Sequence, residues 1–444
     1  MLQCCYYCFV NGKKPDMSRQ KWQALLIVVI AGCLWWPHPI FGQENKGNSP
    51  AFLSPRLRKL AADIDRGDRL ALSHFWQEVT VHSPLVEQDP QDDRLCLVSF
   101  LWHGDSQTKW IGLVGGFRGQ GQSGFQHFQE TDLWYYTQRF PRDARFGYAV
   151  NDSGKGYGKD PLNPKLVGGL SVVELPGAPA EPWIRPIPGV AKGVLSHKSV
   201  HSSRLNADRP VGVYTPAGFD PKKGSYDLLV VFDGEDYGDK SDSAVPTPLI
   251  LDHLIGSLKI PPVVAILVDN LEDRGGDLLC SAKFEDFLAN ELVPWAESSY
   301  HTSDDPARIT VAGASYGGLS AACTAYRHPD VFGNVLSLSG TFSYFPDWNL
   351  DTTDFGVTTN WLAQRFSSTP RLPIRFFLSV GRFEGGPVWS VLRENRRLRD
   401  VLLARGYSVQ YWEYSGNHDP LTWRDSLADG LIDLLGPRRL DWLQ

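Results

Sequence analysis

The sequence of 444 residues has no large excess of either charge and few of the motifs that mark metal sites. Its formal net charge is −6, whereas nucleic-acid-binding proteins usually present a basic face, so a nucleic-acid partner is not expected. Beyond residue 43 there is no Cys-x-x-Cys pair, no His-Glu-x-x-His string and no EF-hand loop. Neither a metal ion nor a cofactor is therefore predicted.

Cysteine is scarce and scattered. Most of the seven cysteines lie in the first 43 residues, and those that remain are Cys96, Cys280 and Cys323. Three cysteines spread over so long a chain do not predict a disulfide framework.

Long apolar runs are also missing, since the run at residues 24–36 is shorter than the roughly 18 residues that a membrane-spanning helix needs. Basic residues precede this run and "PIFGQ" follows it, which is the order of an export signal. We expect Met17 to be the natural start, and residues 1–43 to be an N-terminal extension and export signal of a periplasmic or extracellular protein without a transmembrane span. The string "IAGC" also resembles a lipoprotein signal, which makes a lipid anchor at Cys33 the alternative.

Two kinds of pattern divide the rest of the chain. From about residue 71, short runs such as "RLCLVSFLWHG" and "RFGYAVN" predict strands, and we assign residues 44–160 to an Ig-like β-sandwich domain. Residues 161–195 are rich in proline and glycine and are expected to be a connector. In residues 196–444, strands such as "YDLLVVFDG" alternate with helices such as "SAKFEDFLANELVPWAESSY". This alternation predicts an α/β domain with a mostly parallel sheet covered on both faces.

The stretch "RITVAGASYGGLSA" contains the pattern Gly-x-Ser-x-Gly, which is weak evidence by itself. Its context is stronger, because a predicted strand ends at Ala312 and a predicted helix begins near Gly318. Ser315 would then lie on a sharp strand-to-helix turn with its hydroxyl projecting above the sheet, as in the nucleophile elbow of an α/β-hydrolase. Ser315 is predicted to be a catalytic nucleophile, and an ordinary Gly/Ser turn is the alternative.

A serine nucleophile needs a base, and the base needs an acid to hold it. In this fold the order along the chain is serine, acid, histidine. Downstream of Ser315 the histidines are His328, at the end of the predicted elbow helix, and His418, in "YSGNHDPLTW" after the last predicted strand. His328 is expected to cap its helix and point away, so His418 is the predicted base.

The acid is expected on the loop after the preceding parallel strand, "FFLSVG", where Glu384 is the predicted residue. Asp347, Asp351 and Asp354 are rivals on a loop with no assigned structure. Asp419 adjoins the predicted base, and neighbouring side chains rarely converge, so a structural role is expected for it.

Two backbone N–H groups are predicted to stabilise the oxyanion of the reaction. One belongs to Tyr316, directly after the nucleophile. The other belongs to Glu235 in "VVFDGEDYGD", where Gly234 would let the loop turn over the elbow. The acidic residues of this loop fit no metal-binding spacing and are interpreted as a solvated turn.

With these motifs in place, the sequence resembles the enterochelin (enterobactin) esterase family of the esterase-D group. The likeness covers most of the chain and rests on the order of several blocks. They are "SPLVEQ", "LVSFLWHG", "ETDLWYY", "RFGYAVN", "DPLNP", "VYTPAGFD", "VVFDGEDY", "AGASYGGLSA" and "GNHDPLTWRDSL".

The resemblance implies an N-terminal sandwich, an α/β-hydrolase catalytic domain, and Ser315 and His418 as catalytic residues, and it supports the acid after "SVG". It also implies hydrolysis of the serine-trilactone backbone of a ferric catecholate siderophore, without a protein-bound cofactor. Positive charge for such a ligand would come from arginines, and the expected substrate-binding residues are Arg274, Arg382, Trp423 and Arg424.

Other functions stay open from the sequence. An exported feruloyl or acetyl carbohydrate esterase would use the same catalytic groups, and an acyltransferase would pass the acyl group to an alcohol. A different class is a non-catalytic ligand-binding protein on the same fold, which the complete set of Ser315, Glu384 and His418 argues against.

Overall fold

The computed structural model describes residues 54–79, 83–115, 123–153, 156–222, 224–238, 244–346, 360–386 and 390–437. The predicted export signal, with Met17 and Cys33, lies outside these residues. The chain divides into two compact units, Met1–Val81 and His82–Gln444. None of the helices in the described ranges is long and apolar enough to cross a membrane.

The described part of the first unit consists of two helices, α1 (Pro55–Asp65) and α2 (Ala71–Val79). Ser54 caps the first, because its Oγ accepts a hydrogen bond from Leu57 N–H at 3.2 Å. The strands expected from about residue 71 are wrong for this segment. Ala71, Phe75 and Val79 recur at every fourth position and are all buried, which is the spacing of one helix face.

The second unit begins with two antiparallel sheets. In one the strand order is β1-β2-β6-β5, and in the other it is β4-β3-β7-β10-β9 with β8 paired to β7. The strands are β1 (Leu85–Gln88), β2 (Leu95–His103), β3 (Ile111–Val114), β4 (Ser123–Gly124), β5 (Gln126–His127), β6 (Leu133–Pro141), β7 (Arg145–Asp152), β8 (Gly156–Gly158), β9 (Leu166–Val167) and β10 (Leu170–Glu174).

These two sheets, called here the two-sheet region, share one apolar core. Phe100 of β2 and Tyr148 of β7 meet edge to face with ring centroids 4.8 Å apart, although their strands belong to different sheets. Strands β9 and β10 lie inside the predicted connector, so its first part is wrong. The short run at Leu170–Glu174 is mostly buried and pairs with β7. The prolines and glycines around it favoured a connector over a strand.

An eight-stranded sheet follows, in the order β11-β12-β14-β13-β15-β16-β17-β18. Strands β11 and β12 are antiparallel, and every pair from β14 onward is parallel. The strands are β11 (Val194–Ser202), β12 (Ala207–Thr215), β13 (Asp227–Phe232), β14 (Val263–Val268), β15 (Ile309–Ala314), β16 (Asn334–Leu338), β17 (Arg375–Gly381) and β18 (Ser408–Tyr414). The predicted α/β domain with a mostly parallel sheet is confirmed.

Helices lie between these strands and after the last of them. They are α3 (Gly234–Tyr237), α4 (Thr247–Gly256), α5 (Arg274–Leu278), α6 (Ala282–Phe287), α7 (Val293–Tyr300), α8 (Tyr316–Arg327), α9 (Trp361–Ser368), α10 (Val391–Ala404) and α11 (Pro420–Leu435), with a π-helical turn at Leu288–Leu292. Both faces of the sheet are buried. In β13, Leu228, Val230 and Phe232 enter one apolar cluster, and Leu229 and Val231 enter the other.

Folding also pairs two of the scattered cysteines. A disulfide joins Cys280, between α5 and α6, to Cys323 on α8, across 43 residues of sequence. Cys96 is buried and free. The sequence spacing did not predict this bond, because it depends on how α8 packs beside the segment before α6.

Candidate active site

Ser315 lies on the turn between β15 and α8, as predicted, and is the residue that precedes the helix. Its backbone has φ 58° and ψ −116°, a conformation that L-residues rarely adopt and that costs on the order of 1–3 kcal/mol. Hydrogen bonds hold it there: Ser315 N–H donates to Leu338 O at 2.9 Å, and Thr341 N–H donates to Ser315 O at 3.0 Å.

The glycines of the turn have a steric reason. A Cβ on Gly313 would lie 2.6 Å from the carbonyl carbon of Gly317. A Cβ on Gly318 would lie 2.6 Å from Ser337 Oγ and 3.0 Å from Gly340 Cα. A side chain at either position would therefore keep the strand and the helix too far apart for so sharp a turn.

Glu384 and His418 meet beyond the ends of the last two strands of the sheet. Glu384 follows β17, His418 follows β18, and the two lie 2.7 Å apart between Oε2 and Nδ1. A carboxylate only accepts hydrogen bonds, so Nδ1 carries the proton and Nε2 is left with a lone pair. The carboxylate side chain is 1% exposed and that of the histidine is 10% exposed.

Other groups fix the carboxylate of this Glu384–His418 pair. Its Oε1 accepts from Gly381 N–H and from Ser339 Oγ, both at 2.6 Å. Ser339 Oγ in turn accepts from Trp423 Nε1 at 3.1 Å, and the Trp423 ring stands edge-on to His418 at 5.2 Å. Ser339 was not among the predicted residues. Its signal was its place after β16, the strand beside β17 in the sheet.

The Ser315 hydroxyl and the Glu384–His418 pair are not hydrogen-bonded to each other. Within the described residues, Ser315 Oγ has Thr341 Oγ1 as its partner at 3.3 Å. Catalytic hydrogen bonds are often long before substrate binds. The strand ends that carry the three residues are parallel and lie at the same edge of the sheet.

The loop after β13 packs against the Ser315 turn. Asp233 lies against the turn, since a Cβ on Gly317 would be 3.3 Å from its Oδ2. Arg274 donates to the same oxygen at 2.8 Å, and its guanidinium lies 5.4 Å from the centre of the Tyr316 ring. Glu235, in α3, has its carboxylate turned to Asn270, whose backbone N–H donates to it at 3.0 Å.

Comparison with known proteins identifies the family of the chain. Residues 202–434 match the Esterase family model. The chain is 32% identical over 406 residues to the iron(III) enterobactin esterase of Escherichia coli K12, covering 82% of this chain and 96% of that one. The chain belongs to the enterochelin (enterobactin) esterase family.

Solved structures of this family share the fold over nearly their whole length. The enterobactin esterase of Shigella flexneri, crystallised in the presence of enterobactin, matches with a TM-score of 0.64 and 26% identity, covering 81% of this chain and 97% of that one. The ferric enterobactin esterase of Salmonella typhimurium matches with a TM-score of 0.66 and 25% identity, covering 82% and 98%. The protein is a carboxylic-ester hydrolase.

The predicted substrate-binding residues of this esterase differ in accessibility. Arg382, beside Glu384, has a side chain that is 49% exposed and lies 3.9 Å from Asp143. Arg274 is 33% exposed, but its charge faces Asp233. Arg424 is buried and paired in two places with Glu181, so its charge is neutralised inside the protein. The expectation that Arg424 meets substrate does not fit this placement.

The position of Trp423 likewise does not fit its predicted role in substrate binding. Its side chain is buried in the apolar cluster on one face of the large sheet, behind His418. Its ring contact with His418 and its hydrogen bond to Ser339 instead give it a supporting position in the esterase site.

The other acidic residues considered for the triad are three aspartates and Asp419, and the other histidine is His328. Asp347, Asp351 and Asp354 lie outside the described residues. Asp419 is fully buried and caps α11, accepting from Leu421 N–H at 2.9 Å, and burial raises its pKa to about 6. His328 ends α8 and bonds Asp286 through Nε2 at 2.9 Å.

One cluster in the described residues brings together possible metal ligands, namely Cys280, Glu285 and Cys323. The two sulfur atoms are bonded to each other in this structure, so neither offers a thiolate. Burial raises the pKa of Glu285 to about 7, and Arg327, 3.8 Å away, opposes this rise only in part. The cluster lies on the far portion of α8 and supplies no group to the Ser315 turn.

Proposed function

We propose that the protein is an exported serine esterase that hydrolyses the ester bonds of a catecholate siderophore trilactone, with Ser315, His418 and Glu384 as its catalytic residues. The observation that carries the mechanism is the buried Glu384–His418 pair, set at the same sheet edge as a strained serine turn. The substrate class rests on the relatives, which are enterobactin esterases over almost their full length.

In the proposed acylation step, Ser315 Oγ attacks the carbonyl carbon of the ester while His418 Nε2 takes the hydroxyl proton. Glu384 holds the imidazole in the tautomer that leaves Nε2 free to accept and stabilises the imidazolium that forms. The backbone N–H groups of Tyr316 and Glu235 are the proposed donors to the oxyanion.

Collapse of this intermediate breaks the bond to the leaving alcohol, which receives its proton from His418. The acyl group stays on Ser315 Oγ as an ester. Water then attacks the acyl carbon as His418 takes a proton from it, and the acid product leaves as Ser315 regains its hydrogen. An acyltransferase would differ only in that an alcohol replaces water.

For an anionic ferric complex, we assign an accessible positive charge to Arg382. It lies two residues before Glu384 on the same loop, and its backbone N–H donates to Tyr414 O at 2.8 Å. The guanidinium donates to Ser415 Oγ at 3.1 Å and stays half exposed, so it is able to reach a ligand above the loop.

Export is the proposed localisation. Support comes from the Cys280–Cys323 bond, because disulfides persist mainly in oxidising compartments such as the periplasm. We also propose that the two-sheet region is the Ig-like β-sandwich of the family, with its shared core of facing side chains.

The deciding experiment compares wild type with Ser315→Ala on four esters: p-nitrophenyl acetate, the ferric and the iron-free tricatecholate trilactone, and a feruloylated sugar. We expect cleavage of the trilactone by wild type and a loss of about 10⁴-fold or more in kcat for the variant. Ser320→Ala is the matched control, because Ser320 lies one turn along α8 and its buried Oγ has no hydrogen-bond partner in the part of the chain that the structure describes.

Each outcome has a separate meaning. Cleavage of only the feruloylated sugar or the acetate keeps the serine esterase and rejects the siderophore. Full activity in Ser315→Ala rejects the mechanism, and no turnover of any ester by wild type favours a ligand-binding protein.

A further inference from the structure

The loop that carries Glu384 is anchored in the two-sheet region. Phe383, the residue before Glu384, packs against the apolar core of that region. Its ring centroid lies 5.6 Å from Phe140 of β6 and 5.6 Å from Phe146 of β7, so it touches both sheets edge to face. Phe383 N–H also donates to Gly416 O at 3.1 Å, which ties this loop to the one that carries His418.

The His418 loop is held by the same strand, β7. Arg145 N–H donates to Ser415 O at 3.0 Å, and Gly147 N–H donates to Asp419 Oδ2 at 2.9 Å. These two bonds lie on either side of His418 in sequence. The approach is close, since a Cβ on Gly147 would lie 3.3 Å from Leu421 Cδ1 and 2.7 Å from Leu170 Cδ1.

Asp419 joins this strand to the helix beneath the histidine. Its Oδ2 accepts from β7, and its Oδ1 accepts from Leu421 N–H at 2.9 Å at the start of α11. A second link lies below it, where the buried Arg145 guanidinium bonds Glu174 of β10 and Asp425 of α11, both at 2.8 Å. A buried acceptor that satisfies donors from two elements fixes their relative position, because losing it leaves unpaired N–H groups.

We propose that two contacts of the two-sheet region, one through Phe383 and one through Asp419, position the Glu384–His418 pair. Both are positioning residues: Phe383 acts through Glu384 and Asp419 through His418, and neither contacts the reacting atoms. This inference rests on the proposed function of Glu384 and His418. It means that the two-sheet region matters for every ester, including those too small to contact it.

The test uses the full chain with Phe383→Ala and the conservative Phe383→Leu, assayed on p-nitrophenyl acetate. A loss on so small an ester does not come from lost contacts to a large siderophore. We expect kcat to fall about 10- to 100-fold in Phe383→Ala with KM within about twofold, because a loosened pair misplaces the base. Phe383→Leu keeps apolar bulk in the core and should restore most of kcat.

The pH profile separates positioning from a general loss of stability. A loosened Glu384 stabilises the imidazolium less, so the acidic limb of kcat/KM moves to lower pH, in the same direction as in Glu384→Gln. The matched control is Phe100→Ala, which truncates the same core at a ring that packs on Tyr136 and Tyr148. It should lower the melting temperature and leave both kcat and the acidic limb in place.

Asp419→Asn gives a second, independent arm. Asn retains one acceptor oxygen for the start of α11 but turns an NH₂ group toward Gly147 N–H, so kcat should again fall about 10-fold. Equal kcat in wild type, Phe383→Ala and Asp419→Asn overturns the inference, and so does an equal change in Phe100→Ala. If instead Ser315→Ala stays active, the proposed function itself is wrong.

Discussion

The Ser315 turn and the Glu384–His418 pair lie at the same edge of the sheet, but they are held by different kinds of contact. The turn is set by its own strand and helix, by glycines two residues to either side, and by the strained backbone of Ser315. The pair joins residues 34 positions apart and depends on Ser339, Trp423 and the two-sheet region. One half of the site is local in sequence and the other is not.

This difference predicts how each half responds to mutation. Changes near the turn act on a compact segment and affect folding of that segment together with activity. Changes around the pair are spread over distant elements, and their effect on catalysis exceeds their effect on stability.

Among changes around the Glu384–His418 pair and the glycines of the turn, we expect the greatest loss for Glu384→Gln. The amide would present a donor to His418 Nδ1 and favour the tautomer with the proton on Nε2, which is unable to take the Ser315 proton. We expect kcat to fall about 10³-fold, or about 4 kcal/mol, with folding retained, as measured by ester hydrolysis and circular dichroism. Glu394→Gln, at a second buried glutamate paired to Arg393, is the control and should leave kcat unchanged.

Gly313→Ala should have the next largest effect, and here stability falls with activity. The new methyl would meet the Gly317 backbone at 2.6 Å, so strand or helix must shift, at a cost of about 1–3 kcal/mol. Urea unfolding and kcat on p-nitrophenyl acetate measure the two losses. Gly385→Ala is the control, since its Cβ would be 3.8 Å from the nearest atom, Leu392 Cδ2. Equal behaviour of the two variants would contradict the steric account of the turn.

The smallest expected effect concerns Asp419 and pH. Burial raises its folded pKa to about 6 from an ordinary value of 3.8, so the folded protein holds this proton more tightly than the unfolded chain. Its contribution to stability is therefore present below about pH 4 and is lost as the pH rises through about 6. Relative to Asp419→Asn, the free energy of unfolding of wild type should fall by about 1–3 kcal/mol between pH 4 and 7. A difference that is flat with pH would contradict a buried, ionising Asp419.

The same contrast explains what was predictable from the sequence. The Ser315 turn needs only a strand, two glycines and a helix within about 20 residues, and all of these are visible in "RITVAGASYGGLSAACTAYR". The parallel sheet was predictable for a similar reason, because each of its strands is a nearly continuous apolar run. The choice of His418 and Glu384 used the order of the strands and the loops after them, which is a rule of the fold.

What was missed depends on packing between distant segments. Nothing in the sequence around Ser339 indicates its contact with Glu384, which forms only because β16 and β17 pair in the sheet. Arg424 looked accessible because its partner Glu181 is 243 residues away, and Cys280 and Cys323 meet only once α8 is in place. The helix at Ala71–Val79 lies in a part of the chain for which strands are predicted, although its fourfold apolar spacing indicates a helix.

The most direct test of the central claim is covalent trapping with a fluorophosphonate, followed by mass spectrometry of the digested protein. We expect a single adduct, on Ser315, formed at least about 100-fold more slowly in His418→Ala because the base is missing. An adduct on another residue, or the same labelling rate without His418, would contradict it.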